Sequence, residues 1–278
     1  MIYYFLNKFY TILRISFLVL YTTSASFGSD QFITLQSTSS VRDSGLLEFI
    51  LPKFTDQYHV KVKVIANGTG QAIKNAKDCN GDLLLVHSKQ DEIDFVNQGY
   101  GIKRYDLMYN DFIIVGPANN NLNINANDTL SKVLTKISVS NSKFISRSDD
   151  SGTHKKELML WESSNISINN NSKWYIEAGQ GMGATLNIAV GINGFTLTDR
   201  STWLNFMNKA DHVIIYQSKT ELINYYGITI VNPKHCPDTK LELSQKFVEW
   251  LISSAGKTLI DSYNIDGNQV FFTEIYHD

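Results

Sequence analysis

An α/β fold divided between two lobes is predicted by three features of this 278-residue chain. Strand-like and helix-like hydrophobic patterns alternate from end to end, no linker or long repeat interrupts them, and short polar turns stand where strands give way to helices. Residues 32–35 form a short apolar strand, and Leu46, Leu47, Ile50 and Phe54 recur at helical spacing. Pro52 predicts a kink or an early stop in that helix, because its ring nitrogen has no proton to donate. Val60, Val62 and Val64 alternate as a half-buried strand; residues 83–86 read as a buried strand, 92–98 as a helix and 111–115 as another strand. Leu130, Val133, Leu134 and Ile137 mark the next helix, Phe144 and Ile145 a strand, and 155–162 a further helix. Residues 213–216 and 228–231 are strands, and Phe247, Leu251, Ala255 and Leu259 define one long amphipathic helix. Such βαβ punctuation favours a mixed, mostly parallel sheet in each lobe.

The absence of a clean boundary predicts a discontinuous lobe. Lobe I takes residues 29–114 and 217–278, lobe II residues 115–216, with the chain leaving near Gly116 and returning near Gln217. Residues 1–28 read as a signal peptide: Lys8 and Arg14 precede the apolar run 15–21, and small residues 22–26 follow. The run is far shorter than the roughly 20 residues that span a bilayer. Cleavage is expected between Ser26 and Gly28, with no cysteine there to take a lipid, which predicts a free periplasmic protein. The Asn-rich stretch 118–128 and the Ser/Asn-rich stretch 163–172 lack apolar periodicity and read as loops. Cys79 and Cys236 are the only cysteines; a disulfide and two free thiols both remain open.

Lys and Arg number 25 against 27 Asp and Glu, a formal charge of −2, so no global field favours nucleic acid or an anionic membrane. Any anion must be captured locally. The six histidines are scattered, with no HxxxH or CxxC spacing, so neither a cofactor nor a metal cation site is expected.

The informative residues lie in four turns: Ser37-Thr38-Ser39-Ser40, Asn67 to Gln71 (NGTGQ), Ser146 to Thr153 (SRSDDSGT) and Gly179 to Thr185 (GQGMGAT). A helix N-terminus leaves its first amides without intrahelical acceptors, and the aligned peptide dipoles place partial positive charge there. Glycine lets the backbone approach an anion closely, and hydroxyls supply further donors. Taken singly, each turn is an ordinary N-cap. Together, and with Arg147 inside a hydroxyl-rich turn rather than on a helix face, they can surround a tetrahedral oxyanion. The bland reading of Arg147 is an ion pair with Asp149 or Asp150. Tungstate, molybdate and sulfate carry no proton at neutral pH and want donors only, which requires Asp43, Asp149 and Asp150 to turn away and cap backbone amides. Should one face the site, phosphate gains ground. His87 ends a buried strand at the level where ligands sit in open α/β sheets, so it reads either as a residue lining the cleft or, the more ordinary case, as a satisfied core histidine. Asp150, Ser151 and His154 superficially suggest a serine hydrolase, but no nucleophile elbow surrounds Ser151.

At these same segments the sequence resembles the tungstate-binding proteins of TupABC-type ABC importers. The resemblance runs through IANGTGQA at 65–72, LLVHS at 84–88, MYNDFIIVGP at 108–117, SRSDDSGTHKKE at 146–157, WYIEAGQGMGATLNI at 174–188 and TLTDRSTW at 196–203. It implies a type II periplasmic-binding-protein fold, two lobes joined by two crossover strands. The family's TTTS stretch reads Ser37-Thr38-Ser39-Ser40 here, keeping every hydroxyl, and Ser148 replaces the glycine of its SRGDDSGTH block. The resemblance makes Arg147 the charge partner of the oxyanion, with Thr38, Ser39, Ser40, Thr69, Ser151, Thr153 and the amides near Gly183 and Ala184 as further donors. It implies a monomer that delivers tungstate to a membrane permease. The alternatives are molybdate, sulfate or phosphate as the ligand, and an oxyanion sensor module.

Overall fold

The computed structural model describes residues 31–274 apart from 121, 126 and 170. The predicted signal peptide lies outside the described residues.

The chain opens with β1 (Gln31–Thr38), α1 (Ser39–Asp43), α2 (Leu46–Tyr58), β2 (Val60–Asn67), α3 (Thr69–Lys77), β3 (Leu83–Val86), α4 (Lys89–Asn97) and the long β4 (Gly101–Pro117). It continues through α5 (Leu130–Val139), β5 (Phe144–Ser146), α6 (Gly152–Ser163), β6 (Tyr175–Glu177), α7 (Met182–Gly191), β7 (Thr196–Asp199), α8 (Arg200–Asn205) and β8 (His212–Gln217). β9 (Ile223–Val231) then leads to α9 (Leu241–Ile252), α10 (Ser254–Ser262) and a small hairpin, β10 (Asn264–Ile265) with β11 (Asn268–Gln269). No helix among the described residues is long and apolar enough to cross a membrane.

The sheet is mixed. Its order is β2-β1-β3-β9-β4-β7, with β8 also paired to β4. The parallel pairs expected from strand–helix alternation occur at β1–β3 and β5–β6. β9 pairs antiparallel with β3 and β4, and β4 antiparallel with β7 and β8. β4 runs against β9 from Gly101 to Asp111 and against β7 and β8 from Phe112 onward, so one strand serves both halves of the sheet. The hydrophobic core divides along it. Leu107 and Met108 pack with Ile33, Leu35, Phe54 and Phe247, whereas Phe112 and Ile114 pack with Val133, Phe144, Trp161 and Phe195.

Two helix expectations need correction. α2 does not stop at Pro52, which lies inside it; Pro52 and Glu48, the residue one turn earlier whose carbonyl loses its donor, are both exposed, so water can take that carbonyl. The single long helix expected near the C-terminus is two. At Ser253 the backbone turns extended, and its hydroxyl accepts from Gly256 N at 3.1 Å, starting α10 afresh. Gly256 makes the break possible, because a Cβ there would lie 2.2 Å from the Trp250 carbonyl oxygen. Cys79 and Cys236 form a disulfide with Cα atoms 5.3 Å apart.

Candidate anion site

Each of the four turns follows a strand and opens a helix, and the caps divide them into two kinds. Thr38 and Ser151 cap α1 and α6 through their own hydroxyls, which accept from Val41 N at 3.3 Å and His154 N at 3.2 Å. A hydroxyl that accepts keeps its own proton to donate. α3 and α7 begin instead with Gly68 and Gly181, which make no side-chain cap, so their first amides remain available to an outside acceptor.

Three turns are tied together by hydrogen bonds. Arg147, at 3% exposure, reaches from the turn after β5 to donate to Ser40 Oγ at 3.4 Å. Fully buried Thr69 accepts from Gly152 N at 2.9 Å, which joins the second turn to the third. The fourth turn lies beside the third because β5 and β6 are parallel, with Ser146 opposite Glu177, and Gln180 N donates to the Arg147 carbonyl at 3.2 Å. The predicted residues Ser40, Thr69, Arg147, Ser151 and Thr153 thus cluster, all buried. Ser39 is half-buried, and Gly183 and Ala184 are exposed at the start of α7. Ser37, part of the first turn, donates to the Leu85 carbonyl at 2.9 Å.

Asp149 governs the charge at this point. Its Oδ2 accepts from Arg147 Nε at 3.2 Å and Nη2 at 2.5 Å, and its Oδ1 accepts from Ser151 N at 3.2 Å. The ion pair and the capping role expected as alternatives are both present. Asp43 and Asp150 do not cap amides as expected: Asp43 pairs with Arg42 at 2.8 Å, and exposed Asp150 sits 3.7 Å from Lys155. Lys155 also pairs with Asp91 at 2.7 Å. Ser148 and Asp150 both take positive φ, 46° and 56°, a left-handed geometry that carries a cost for a residue with a Cβ.

Sequence reasoning raised His87 as a cleft residue and missed the polar network that holds it, Asn224, Asn110 and Tyr226. His87 is buried, with Nδ1 3.1 Å from Asn224 Oδ1 and no partner for Nε2, so it is not the satisfied core histidine expected. Asn224 Nδ2 donates to Asn110 Oδ1 and to the Tyr226 hydroxyl, both at 2.8 Å. Burial, then the positive charge of Arg147, pushes the imidazole down to about 4, against the pull of Asn224. The signal available in the sequence was an asparagine at the second position of the largely apolar strand β9. Behind the Arg147 turn, buried Glu157 accepts from Trp161 Nε1 at 3.0 Å and the Tyr175 hydroxyl at 2.8 Å. Burial pushes its carboxyl up to about 7, with hydrogen bonds from Ser146, Tyr175 and Trp161 pulling the other way.

Asp150, Ser151 and His154 do not form a hydrolytic triad. Ser151 Oγ accepts from the His154 backbone amide, and the His154 ring nitrogen Nδ1 accepts from Asp150 N at 3.2 Å.

Residues 23–255 match the model of the PBP superfamily domain. The tungstate-binding protein TupA of Peptoclostridium acidaminophilum is 44% identical over 234 residues, 83% of this chain and 81% of that protein. The crystal structure of the tungstate ABC transporter from Geobacter sulfurreducens superposes with TM-score 0.76 at 42% identity, covering 84% of this chain and 98% of that one. The tungstate-binding protein TupA from Desulfovibrio alaskensis G20 superposes with TM-score 0.77 at 36% identity, over 88% and 100%. This chain therefore belongs to the PBP superfamily, within the family that contains the TupA tungstate-binding proteins.

Proposed function

We propose that the protein is the extracytoplasmic solute-binding component of an ABC importer, capturing tungstate at the Arg147 cluster and delivering it to a membrane permease. The observation that carries the reading is the buried Arg147 guanidinium, held by Asp149 and pointed at Ser40, beside Gly152 and Thr69. Charge-assisted hydrogen bonds contribute roughly 1.5–3 kcal/mol each, so several converging donors offset much of the cost of drying a dianion. Asp149 engages both oxygens with the protein's own donors, Arg147 and Ser151 N, so it holds the guanidinium in place rather than standing as a free acceptor for a protonated phosphate. Asp149 thus favours a fully deprotonated oxyanion, while exposed Asp150, whose Oδ2 would stand 2.4 Å from a Cβ on Gly70, is the carboxylate through which phosphate remains the second reading.

The division of the core along β4 supports two lobes, residues 29–114 with 217–278 and residues 115–216. On this reading Ser39, Ser40 and Thr69 belong to the first, and Arg147, Ser151, Thr153 and the amides at Gly183 and Ala184 to the second. The anion stabilises the closed form by bridging them, a population shift toward the state that completes the donor shell. The protein acts as a periplasmic monomer without enzymatic activity or cofactor. Calorimetric titration of the mature protein with tungstate, molybdate, sulfate and phosphate at fixed salt tests this. Tight binding of tungstate is the expected result, and binding of phosphate alone would overturn the ligand assignment.

A further inference from the structure

Beneath the Arg147 cluster lies a buried imidazole to which anion capture by hydroxyls and guanidinium gives no role. Asn224 donates through Nδ2 to Asn110 and Tyr226, so its Oδ1 faces His87, and the proton of the neutral ring sits on Nδ1. Nε2 is then a bare lone pair, sealed from solvent and without a donor. The ring lies against the first residue of α6: a Cβ on Gly152 would stand 2.6 Å from Cε1 and 3.2 Å from Nε2. The same Gly152 gives its amide to Thr69, so the histidine supports the joint between two of the anion-facing turns.

The charge balance around it is incomplete for a dianion. Arg147 is neutralised by Asp149, and Lys155 is shared between Asp91 and Asp150. Among the described groups at these turns, no cation is left over to match two negative charges. The groups that face His87 are Gly152 from α6, Arg147 from the turn after β5, Asn224 and Tyr226 from β9 and Phe112 from β4. Of these, the Arg147 guanidinium already carries its charge, and burial raises the Tyr226 phenol well above its ordinary range, so it stays neutral. His87 is the one group in that set able to gain a positive charge.

We propose that His87 links anion capture to proton uptake: the arriving oxyanion draws a proton onto Nε2, and the imidazolium supplies the charge that the Arg147–Asp149 pair does not. This rests on the oxyanion reading above. In the empty protein, burial above all, and then Arg147, hold the ring neutral at physiological pH; a dianion at the Arg147 cluster attracts a proton to the ring, so the bound-state affinity for the proton rises. By linkage, anion affinity then increases as pH falls through the bound-state value and is flat well above it.

Calorimetry of the full mature protein with tungstate, in two buffers of different ionisation enthalpy, reads the proton count directly. The expected result is uptake of a measurable fraction of a proton at about pH 6.5, fading toward about pH 8, with affinity falling by up to about tenfold for each step of one in pH. His87→Gln is expected to bind tungstate with no uptake and a flat pH profile. Glu157 titrates in the same range, so uptake that persists in His87→Gln assigns the proton elsewhere and overturns the proposal. Should that variant fold poorly, the Cε1 proton of His87 in the native protein, followed by NMR with and without tungstate, must shift its titration upward. Equal heats in the two buffers with intact binding overturn this inference alone. No heat with any of the four oxyanions removes the functional reading and this inference together.

Discussion

Arg147 and Asp149, two residues apart, form a closed clamp in which the guanidinium nitrogens Nε and Nη2 share one carboxylate oxygen, while Nη1 reaches Ser40. The pairing fixes the guanidinium plane rather than merely neutralising it, because the carboxylate's second oxygen is anchored to Ser151 N. Arg147→Ala should therefore cost both binding and some stability. Loss of two or so charge-assisted bonds corresponds to about a 100-fold weaker complex. The stranded, mostly buried Asp149 should lower stability by about 1 kcal/mol. Calorimetry and urea denaturation check the two numbers separately, and unchanged tungstate affinity would remove Arg147 from the site.

Gly152 is constrained by space and not by backbone conformation. A Cβ there meets His87 Cε1 at 2.6 Å and Nδ1 at 2.8 Å, whereas a Cβ on Gly183 meets nothing within 4 Å. Gly152→Ala should therefore cost about 1–3 kcal/mol of stability by overpacking and shift the amide bonded to Thr69, weakening tungstate by about tenfold or more. Gly183→Ala, placed in α7, should gain about 0.5–1 kcal/mol from helix propensity. Urea midpoints of the two variants should move in opposite directions.

Glu157 makes stability depend on pH in a stated direction. Its folded value, about 7, lies above the ordinary 4.5, so the folded state holds the proton more tightly. The stabilisation is full below about 4.5 and is lost as pH rises through about 7. Each tenfold gain in proton affinity corresponds to about 1.4 kcal/mol, so the effect is on the order of a few kcal/mol. Glu157→Gln keeps an acceptor for Trp161 and Tyr175 and cannot ionise. It should be more stable than the native protein at about pH 8 and show a flatter profile between about pH 5 and 7. Urea denaturation across that range tests the difference.

Alternation and turn chemistry carried the fold class and most elements, because those signals are local. β4 was legible only from 111 to 115, since Lys103, Arg104 and Asp106 break its apolar pattern. Arg104 is nonetheless nearly buried, paired with Glu92 of the preceding helix α4 at 2.6 Å and with Asp106 of its own strand, a compensation that apolar periodicity does not register. The hydroxyls and Arg147 were legible because a run of donors before a helix is conspicuous. His87 was legible only as one of two readings and Asn224 not at all, because a single polar residue in or just after an apolar strand looks the same whether its partner is present or missing. The break at Ser253 was hidden for a similar reason: the apolar spacing of Phe247, Leu251 and Leu259 continues across it.

The disulfide offers a test of how locally the site is built. Cys79 follows α3 closely, and Thr69 begins it, so the nine residues of that helix separate the bond from the site by about 13 Å at 1.5 Å per residue. The bond closes a sequence separation of 157 residues, and restricting so long a loop stabilises by about 2–4 kcal/mol. Replacing Cys79 and Cys236 by Ser should lower the urea midpoint accordingly while leaving tungstate affinity within about twofold, an energy below the usual threshold for coupling between distant positions. A larger loss of affinity would mean that α3 transmits its anchoring to Thr69 and hence to the Gly152 amide. In that case the donor cluster depends on the far end of the helix, and not only on the bonds among Ser40, Thr69 and Arg147.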